Sequence, residues 1–221
     1  NHDGRDFIDA ALAAGASYIL TPRGTFKPEE LDASVTWQES DNIRVDYARL
    51  CADFYGQQPE HIVAVTGTNG KSSVVNFVRQ LWGEKAVSLG TIGLQGHGFA
   101  RDAGLTTLDP SALHEILADC AKAGVTHLAM EASSHGIEQG RLAGVKVKAA
   151  AFTNITHDHL DYHKTMDAYL RAKLGVFDLL DAGAPAVINA DIAEANEIIA
   201  YAQSKDLNVI TFGKKGTDLK I

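Results

Sequence analysis

Short apolar runs alternate with longer helical stretches through most of this 221-residue sequence. His61–Val65 is a β-rich run that leads into a glycine loop. Lys71–Trp82 follows with helical spacing, which places Val74, Val75, Val78 and Leu81 on one face. Further strands are expected at Lys85–Leu89, Val125–Met130, Lys146–Phe152, Ala184–Asn189 and Asn208–Phe212. Helices are expected at Ser111–Ala123, Met166–Leu180 and Asp191–Ser204. Pro110 and Ser111 suit a helix start, and Gly124 a helix end. Strands alternating with helices of this length imply a mostly parallel sheet covered on both faces. Ligands in such sheets bind beyond the carboxyl ends of the strands. The polar, glycine-rich segments of this chain follow Val65, Leu89, Met130 and Phe152, each at an expected strand end.

The first 50 or so residues carry a different pattern. Asp6–Ala14 reads as a short helix and Tyr18–Leu20 as a short strand, followed by the turn Thr21-Pro22-Arg23-Gly24. Residues 1–50 are therefore expected to be the tail of a smaller α/β domain, with Asp46–Tyr55 as the connecting helix. The fold class expected is α/β. A central domain at 51–221, holding a phosphate loop on a mostly parallel sheet, is preceded by part of a smaller α/β domain.

The net charge, 20 − 28 = −8, argues against a general nucleic-acid or anionic-membrane surface. Phosphate ligands would have to be held by local groups. Cys51 and Cys120 are the only cysteines and form neither a disulfide framework nor a metal spacing. That usage suits a reducing compartment, and a cytoplasmic location is the expectation. No apolar run approaches the roughly 18 residues needed to cross a bilayer. No signal peptide opens the chain, which begins at Asn1 rather than Met, so the natural start is expected upstream.

Four segments carry candidate chemistry. The first is Val65-Thr-Gly-Thr-Asn-Gly-Lys-Ser-Ser73, between a strand and a helix. Gly67 and Gly70 allow a tight turn, and the helix start at Lys71 supplies amides and a partial positive charge for phosphate. Lys71 can reach the β- and γ-phosphates of a nucleotide, and the Ser72 hydroxyl can ligate Mg²⁺. The strict phosphate-loop pattern is not met, because Val65 stands where its first glycine belongs. The second segment is Glu131, which follows the strand ending at Met130 and precedes Ala132-Ser133-Ser134-His135-Gly136. A carboxylate there can hold Mg²⁺ directly or through water, or can be a solvated loop residue.

The third segment, Asn154-Ile-Thr-His-Asp-His-Leu-Asp-Tyr-His163, packs three histidines and two aspartates into seven residues. A zinc site, a Mg²⁺ and phosphate site, and a hydrated loop are all open readings. The fourth is Lys173, inside a helix between Ala172 and Leu174. By position alone it reads as a solvated surface lysine.

Together these segments resemble the Mur ligases. Gly67-Thr-Asn-Gly-Lys-Ser72, Met130-Glu-Ala-Ser-Ser-His-Gly136, and Asn154–His163 followed by Tyr169-Leu-Arg-Ala-Lys173 occur in the family's order. Their form is most similar to the branch that adds the third residue, meso-diaminopimelate or lysine, to the peptidoglycan precursor. The likeness extends to Asp3-Gly-Arg-Asp-Phe-Ile8 and Ala14-Gly-Ala-Ser-Tyr18, which resemble the end of a uridine-nucleotide domain. It implies an ATP- and Mg²⁺-dependent ligase that phosphorylates the terminal carboxylate of UDP-MurNAc-L-Ala-D-Glu. An amine then attacks the acyl phosphate to form an amide.

By that resemblance Gly67, Thr68, Asn69, Gly70, Lys71, Ser72, Ser73 and Asn154 line the nucleotide site. Lys71, His159 and Lys173 are the expected catalytic residues. Ser72, Glu131, His159 and Lys173, the last as its carbamate, are the expected metal ligands. Thr106, Thr107, Ser133, Gln139 and Arg141 are expected to contact the UDP-sugar peptide. Arg141 also fits on chemical grounds, since a guanidinium can clamp a carboxylate or phosphate.

The sequence departs from the family in its Lys71-Ser-Ser73 loop end and in Leu108-Asp-Pro110 after the paired threonines. By the resemblance, the C-terminal domain that binds the amino acid is expected to be absent from these residues. A monomer that binds nucleotide weakly and does not ligate alone is therefore the expectation. Other readings are another Mur ligase, a folylpolyglutamate synthase, a phosphate-loop NTPase module, or a zinc hydrolase using His157, His159 and His163.

Overall fold

The computed structural model describes residues 3–102 and 104–220. Its N-terminal part holds a short helix α1 (Ile8–Ala13) and two strands, β1 (Tyr18–Pro22) and β2 (Thr36–Ser40). The two strands pair in parallel and form a sheet of their own. β2 was not expected from the sequence, because Thr36-Trp-Gln-Glu-Ser40 is mostly exposed and shows no apolar run. Helix α2 (Ile43–Tyr55) leads out of this region and packs against a helix of the main sheet. It begins three residues earlier than the sequence suggested. The Asn42 side chain accepts from the Val45 amide at 3.3 Å and so starts the helix before Asp46.

Among the described residues the main sheet has nine strands. In chain order they are β3 (His61–Thr66), β4 (Ala86–Gly90), β5 (Gly93–Gly96), β6 (Phe99–Arg101), β7 (His127–Glu131), β8 (Val147–Phe152), β9 (Pro185–Asn189), β10 (Asn208–Gly213) and β11 (Leu219–Lys220). Their spatial order is β11-β10-β9-β8-β3-β7-β4-β5-β6. All neighbours pair in parallel except β4–β5 and β5–β6, an antiparallel hairpin at one edge. Five helices and helical turns connect them: α3 (Lys71–Trp82), α4 (Pro110–Lys122), α5 (Ser134–Glu138), α6 (Leu160–His163) and α7 (Met166–Leu174), with α8 (Ala195–Ser204) after β9.

Successive residues of β3 point to opposite faces, as the pleat requires. Ile62 and Ala64 enter a large core with Leu113 and Leu117 of α4, Tyr169 and Leu170 of α7, and Ile198 of α8. Val63 and Val65 face α3 instead, against Val74, Val75 and Val78. Coverage is thus complete on the first face only. On the other, Leu81, Trp82, Ala149, Ala151 and Val187 line an open apolar groove of about 380 Å³. Leu81, expected on one face of α3 with Val74, Val75 and Val78, is 86% exposed.

Met166–Leu180 was expected as one helix, but α7 ends at Leu174 and a 3-10 turn spans Phe177–Leu179. The break is at Gly175, where an added Cβ would lie 2.8 Å from Ile137 Cγ2 of the α5 segment. α8 likewise begins at Ala195 rather than Asp191. Asp191 instead accepts the amides of Lys214 and Lys215 at 2.9 and 2.8 Å.

Candidate functional site

β3, β7, β4 and β8 are neighbours in the sheet, so their carboxyl ends bring four loops to one rim. The glycine loop leaves β3 at Thr66 and enters α3 at Lys71. Two of its glycines do different work. Gly70 has φ +85°, a left-handed conformation that favours glycine, with open space where a Cβ would go. Gly67 has φ +144°, and a Cβ there would sit 2.0 Å from Thr153 Oγ1 and 3.0 Å from the Asn154 carbonyl. The loop is therefore pressed onto the segment that follows β8.

That segment holds the loop's shape. Asn154 receives the Thr68 amide on its carbonyl and the Asn69 amide on Oδ1, each at 2.9 Å. Its Nδ2 returns a bond to the Asn69 carbonyl at 3.0 Å. Thr153 Oγ1 donates to the same carbonyl at 2.7 Å. Asn154 thus braces the loop, and the Thr68 and Asn69 amides are already committed. The donors left for an anion are at the first turn of α3, at Lys71, Ser72 and Ser73, which have no intrahelical acceptor.

Two lysines meet inside the loop. Lys71 Nζ donates to the carbonyls of Gly67 and Thr68, both at 2.9 Å. Lys173 Nζ donates to the same Gly67 carbonyl at 2.8 Å. It also lies 4.4 Å from the Tyr169 ring centroid. Lys173 is 1% exposed, so the expectation of a solvated lysine, drawn from position alone, is overturned. The helix period explains its burial: Tyr169, Leu170, Lys173 and Leu174 form one buried stripe of α7. Burial, and then the Lys71 charge, hold the Lys173 ammonium down to about 7. Burial lowers Lys71 as well, opposed by Glu131 and Asp158.

Glu131 ends β7 and is 2% exposed. Its Oε1 accepts the Thr91 amide at 2.9 Å, and Oε2 accepts the Thr91 hydroxyl at 3.3 Å. Thr91 Oγ1 lies 2.9 Å from Thr106 Oγ1. Thr107 Oγ1 donates to the Glu131 carbonyl at 3.2 Å and accepts the Ser133 amide at 3.0 Å. Ser133 Oγ accepts from the Gly136 amide and caps α5. Arg141 Nη1 donates to the Thr107 carbonyl at 2.8 Å, while its Nε and Nη2 both hold Gln139 Oε1. The guanidinium edge expected to clamp a ligand is thus turned onto Gln139. Thr106, Thr107, Ser133, Gln139 and Arg141 do form one connected cluster beside Glu131.

His159 has φ +51°, unusual for a residue with a side chain, and starts α6. Its ring packs edge-on against His135, with centroids 4.9 Å apart. His163 is buried, with Nε2 2.9 Å from Ser134 Oγ. His157 is exposed. Among the described residues, no three His, Cys, Asp or Glu side chains are grouped as metal ligands. Mg²⁺ requires no such grouping, since it keeps waters and substrate oxygens in its shell.

The chain fits a bound polyphosphate and Mg²⁺ on its own features. A buried hydroxyl, Thr66 Oγ1, has no hydrogen-bond partner at the mouth of the loop. Two ammoniums and a helix N-terminus converge there, with the Glu131 carboxylate close enough to act on Lys71. Neither Thr91 nor Thr153 stood out by residue type, and Tyr169 entered only as the first residue of the Tyr169-Leu-Arg-Ala-Lys173 resemblance. Thr91 follows Gly90 in the polar loop after β4, and that loop was the available clue.

Comparison with known proteins agrees with this arrangement. A family model, Mur ligase middle domain, matches residues 65–221. A 2,6-diaminopimelate ligase of UDP-N-acetylmuramoyl-L-alanyl-D-glutamate from Caulobacter vibrioides is 47% identical over 99% of this chain and 46% of its own length. The enzyme of the same name from Rhizobium meliloti is 47% identical over 97% of this chain and 44% of its own length. A solved structure of a ligase with that name superposes with a TM-score of 0.80, at 32% identity, over 97% of this chain and 44% of that one. The chain therefore spans less than half the length of these relatives. No described helix is long and apolar enough to cross a membrane. With a phosphate loop braced by Asn154, a buried lysine beneath it, and this match along most of its length, the chain belongs to the Mur ligase family.

Proposed function

We propose that the protein forms an amide bond on UDP-MurNAc-L-Ala-D-Glu at the expense of ATP. The amine is 2,6-diaminopimelate, following the names of these relatives. The observation that carries this reading is the convergence of Lys71 and Lys173 on the Gly67 carbonyl, at the start of α3. ATP and an acceptor carboxylate are both anions, and bringing them together requires positioned cations and main-chain donors.

In this account the first turn of α3 and Lys71 hold the β- and γ-phosphates. Ser72 and Glu131 would hold Mg²⁺, with His159 and a carbamylated Lys173 toward a second ion. Mg²⁺ supplies charge neutralisation of the phosphate oxygens. An amine held near neutrality by burial is the form that can take up carbon dioxide, which supports the carbamate at Lys173. Thr106, Thr107, Ser133, Gln139 and Arg141 position the muramoyl dipeptide. A monomer working in the cytoplasm on small-molecule substrates completes the proposal.

Calorimetry on this chain tests it. MgADP and UDP-MurNAc-L-Ala-D-Glu should each bind, the first weakened about tenfold to a hundredfold in Lys71→Met and the second weakened in Arg141→Ala. A chain that binds MgADP but no muramoyl dipeptide is a nucleotide module, and the ligase reading is then wrong.

A further inference from the structure

Glu131 and Thr106 were singled out separately, one for metal and one for the acceptor. Thr91 joins them. Its amide and hydroxyl occupy both oxygens of the Glu131 carboxylate, at 2.9 and 3.3 Å. The same hydroxyl lies 2.9 Å from Thr106 Oγ1. An ionised carboxylate can only accept, so the Thr91 proton points to Glu131. Thr91 must then accept from Thr106, and the hydroxyl chain has one direction: Thr106 to Thr91 to Glu131. Thr106 is left as an acceptor toward any ligand.

The seat for this carboxylate is specific. A Cβ on Gly90 would lie 2.2 Å from Glu131 Oε1 and 2.5 Å from its Cδ and Cγ. Gly90 has no positive φ, so here the missing side chain provides space rather than conformation. The Glu131 side chain lies across Gly90 and is gripped at its end by Thr91. Glu131 is 2% exposed, so its direction is set by this grip rather than by water.

We propose that Thr91 is a positioning residue that couples the metal carboxylate to the acceptor subsite, so that each ligand reports on the other. The inference rests on the ligase reading above and assigns a regulatory link within that same site. Hydrogen bonds to charged groups are the strong ones, so loss of the hydroxyl should be measurable at both ends.

The test uses two titrations of this chain: Mg²⁺ in the presence of ADP, and UDP-MurNAc-L-Ala-D-Glu. Thr91→Val keeps the shape and removes the hydroxyl. It should raise the Mg²⁺ midpoint about tenfold and weaken the dipeptide by a similar factor. Thr91→Ser should restore both to within about twofold. Thr106→Val touches no carboxylate, yet it should raise the Mg²⁺ midpoint several-fold. In the Mg²⁺ titration the Thr91→Val/Thr106→Val pair should be no worse than Thr91→Val alone, because the two reach the carboxylate through one chain. The idea is overturned if Thr106→Val leaves Mg²⁺ unchanged, or if the two substitutions add independently in the Mg²⁺ midpoint. Should Thr91→Val not fold, the Thr91→Ser and Thr106→Val titrations decide the matter alone. A wild-type chain that binds neither ligand overturns the ligase reading itself, and that outcome is distinct from a wild type that binds both without coupling.

Discussion

The phosphate loop after β3 and the carboxylate corner after β4 sit on the same rim of one sheet, yet they are built in opposite ways. The loop is made of main chain. Its shape comes from Gly67 and Gly70 and from the amides and carbonyls that Asn154 and Thr153 engage. The corner is made of side chains. Glu131, Thr91, Thr106, Thr107 and Arg141 come from four separated segments and meet through hydroxyls, a carboxylate and a guanidinium. The first kind of site is contiguous in sequence and tolerates little change in backbone. The second exists only when the sheet is assembled.

Substitution of the two glycines that serve these regions separates them most strongly. Gly67→Ala should be the most damaging change. It forces a side chain into a positive φ and into Thr153, and should cost roughly 3 kcal/mol or more. For a chain of this size that lowers Tm by about 6 °C or more, with nucleotide binding lost. Gly90→Ala has no such backbone conflict but displaces Glu131. It should leave nucleotide binding without metal intact and abolish its Mg²⁺ dependence, as read by calorimetry. Equal damage from both glycines to both properties would erase the distinction.

Lys173 ranks next. Its ammonium is held at about 7 against an ordinary value near 10.5, because burial and Lys71 disfavour the charge. The unfolded chain therefore binds a proton that the folded chain does not, between about pH 7 and 10.5. Stability from this group rises with pH through that window and is lowest where both states are protonated, below about 7. Lys173→Met should flatten the rise and stabilise the chain at pH 6 in urea unfolding. An unchanged slope would place the amine in water. The smallest effect is expected at Leu81: Leu81→Gln should change stability by no more than about 0.5 kcal/mol, since the residue is 86% exposed.

The same contrast explains what the sequence revealed. Gly67–Ser72 announced itself because strand, glycines, lysine and helix are consecutive. The parallel sheet was equally plain, since β3, β7, β8, β9 and β10 are apolar runs spaced by helices. The edge hairpin β5–β6 was missed, because Gly93-Leu-Gln-Gly96 and Phe99-Ala-Arg101 are too short and glycine-rich to show a period. α5 was hidden in Ser133-Ser134-His135-Gly136, where a serine cap and a glycine read as loop. The burial of Lys173 was written in the Tyr169, Leu170, Lys173, Leu174 stripe, but a lysine on an apolar stripe defeats a reading by residue type. Thr91 could not have been found in this way. Its importance lies in contacts to residues 15 and 40 positions away.

The central claim is that one buried and one half-buried ammonium, Lys173 and Lys71, and the start of α3 form a receptor for a nucleotide's phosphates. Calorimetry of MgADP against this chain and against its Lys71→Met variant tests it most directly. Saturable binding to the first, weakened about tenfold to a hundredfold in the second, is the predicted result. Equal affinity for both proteins, or heat independent of the phosphates when adenosine replaces ADP, would contradict it.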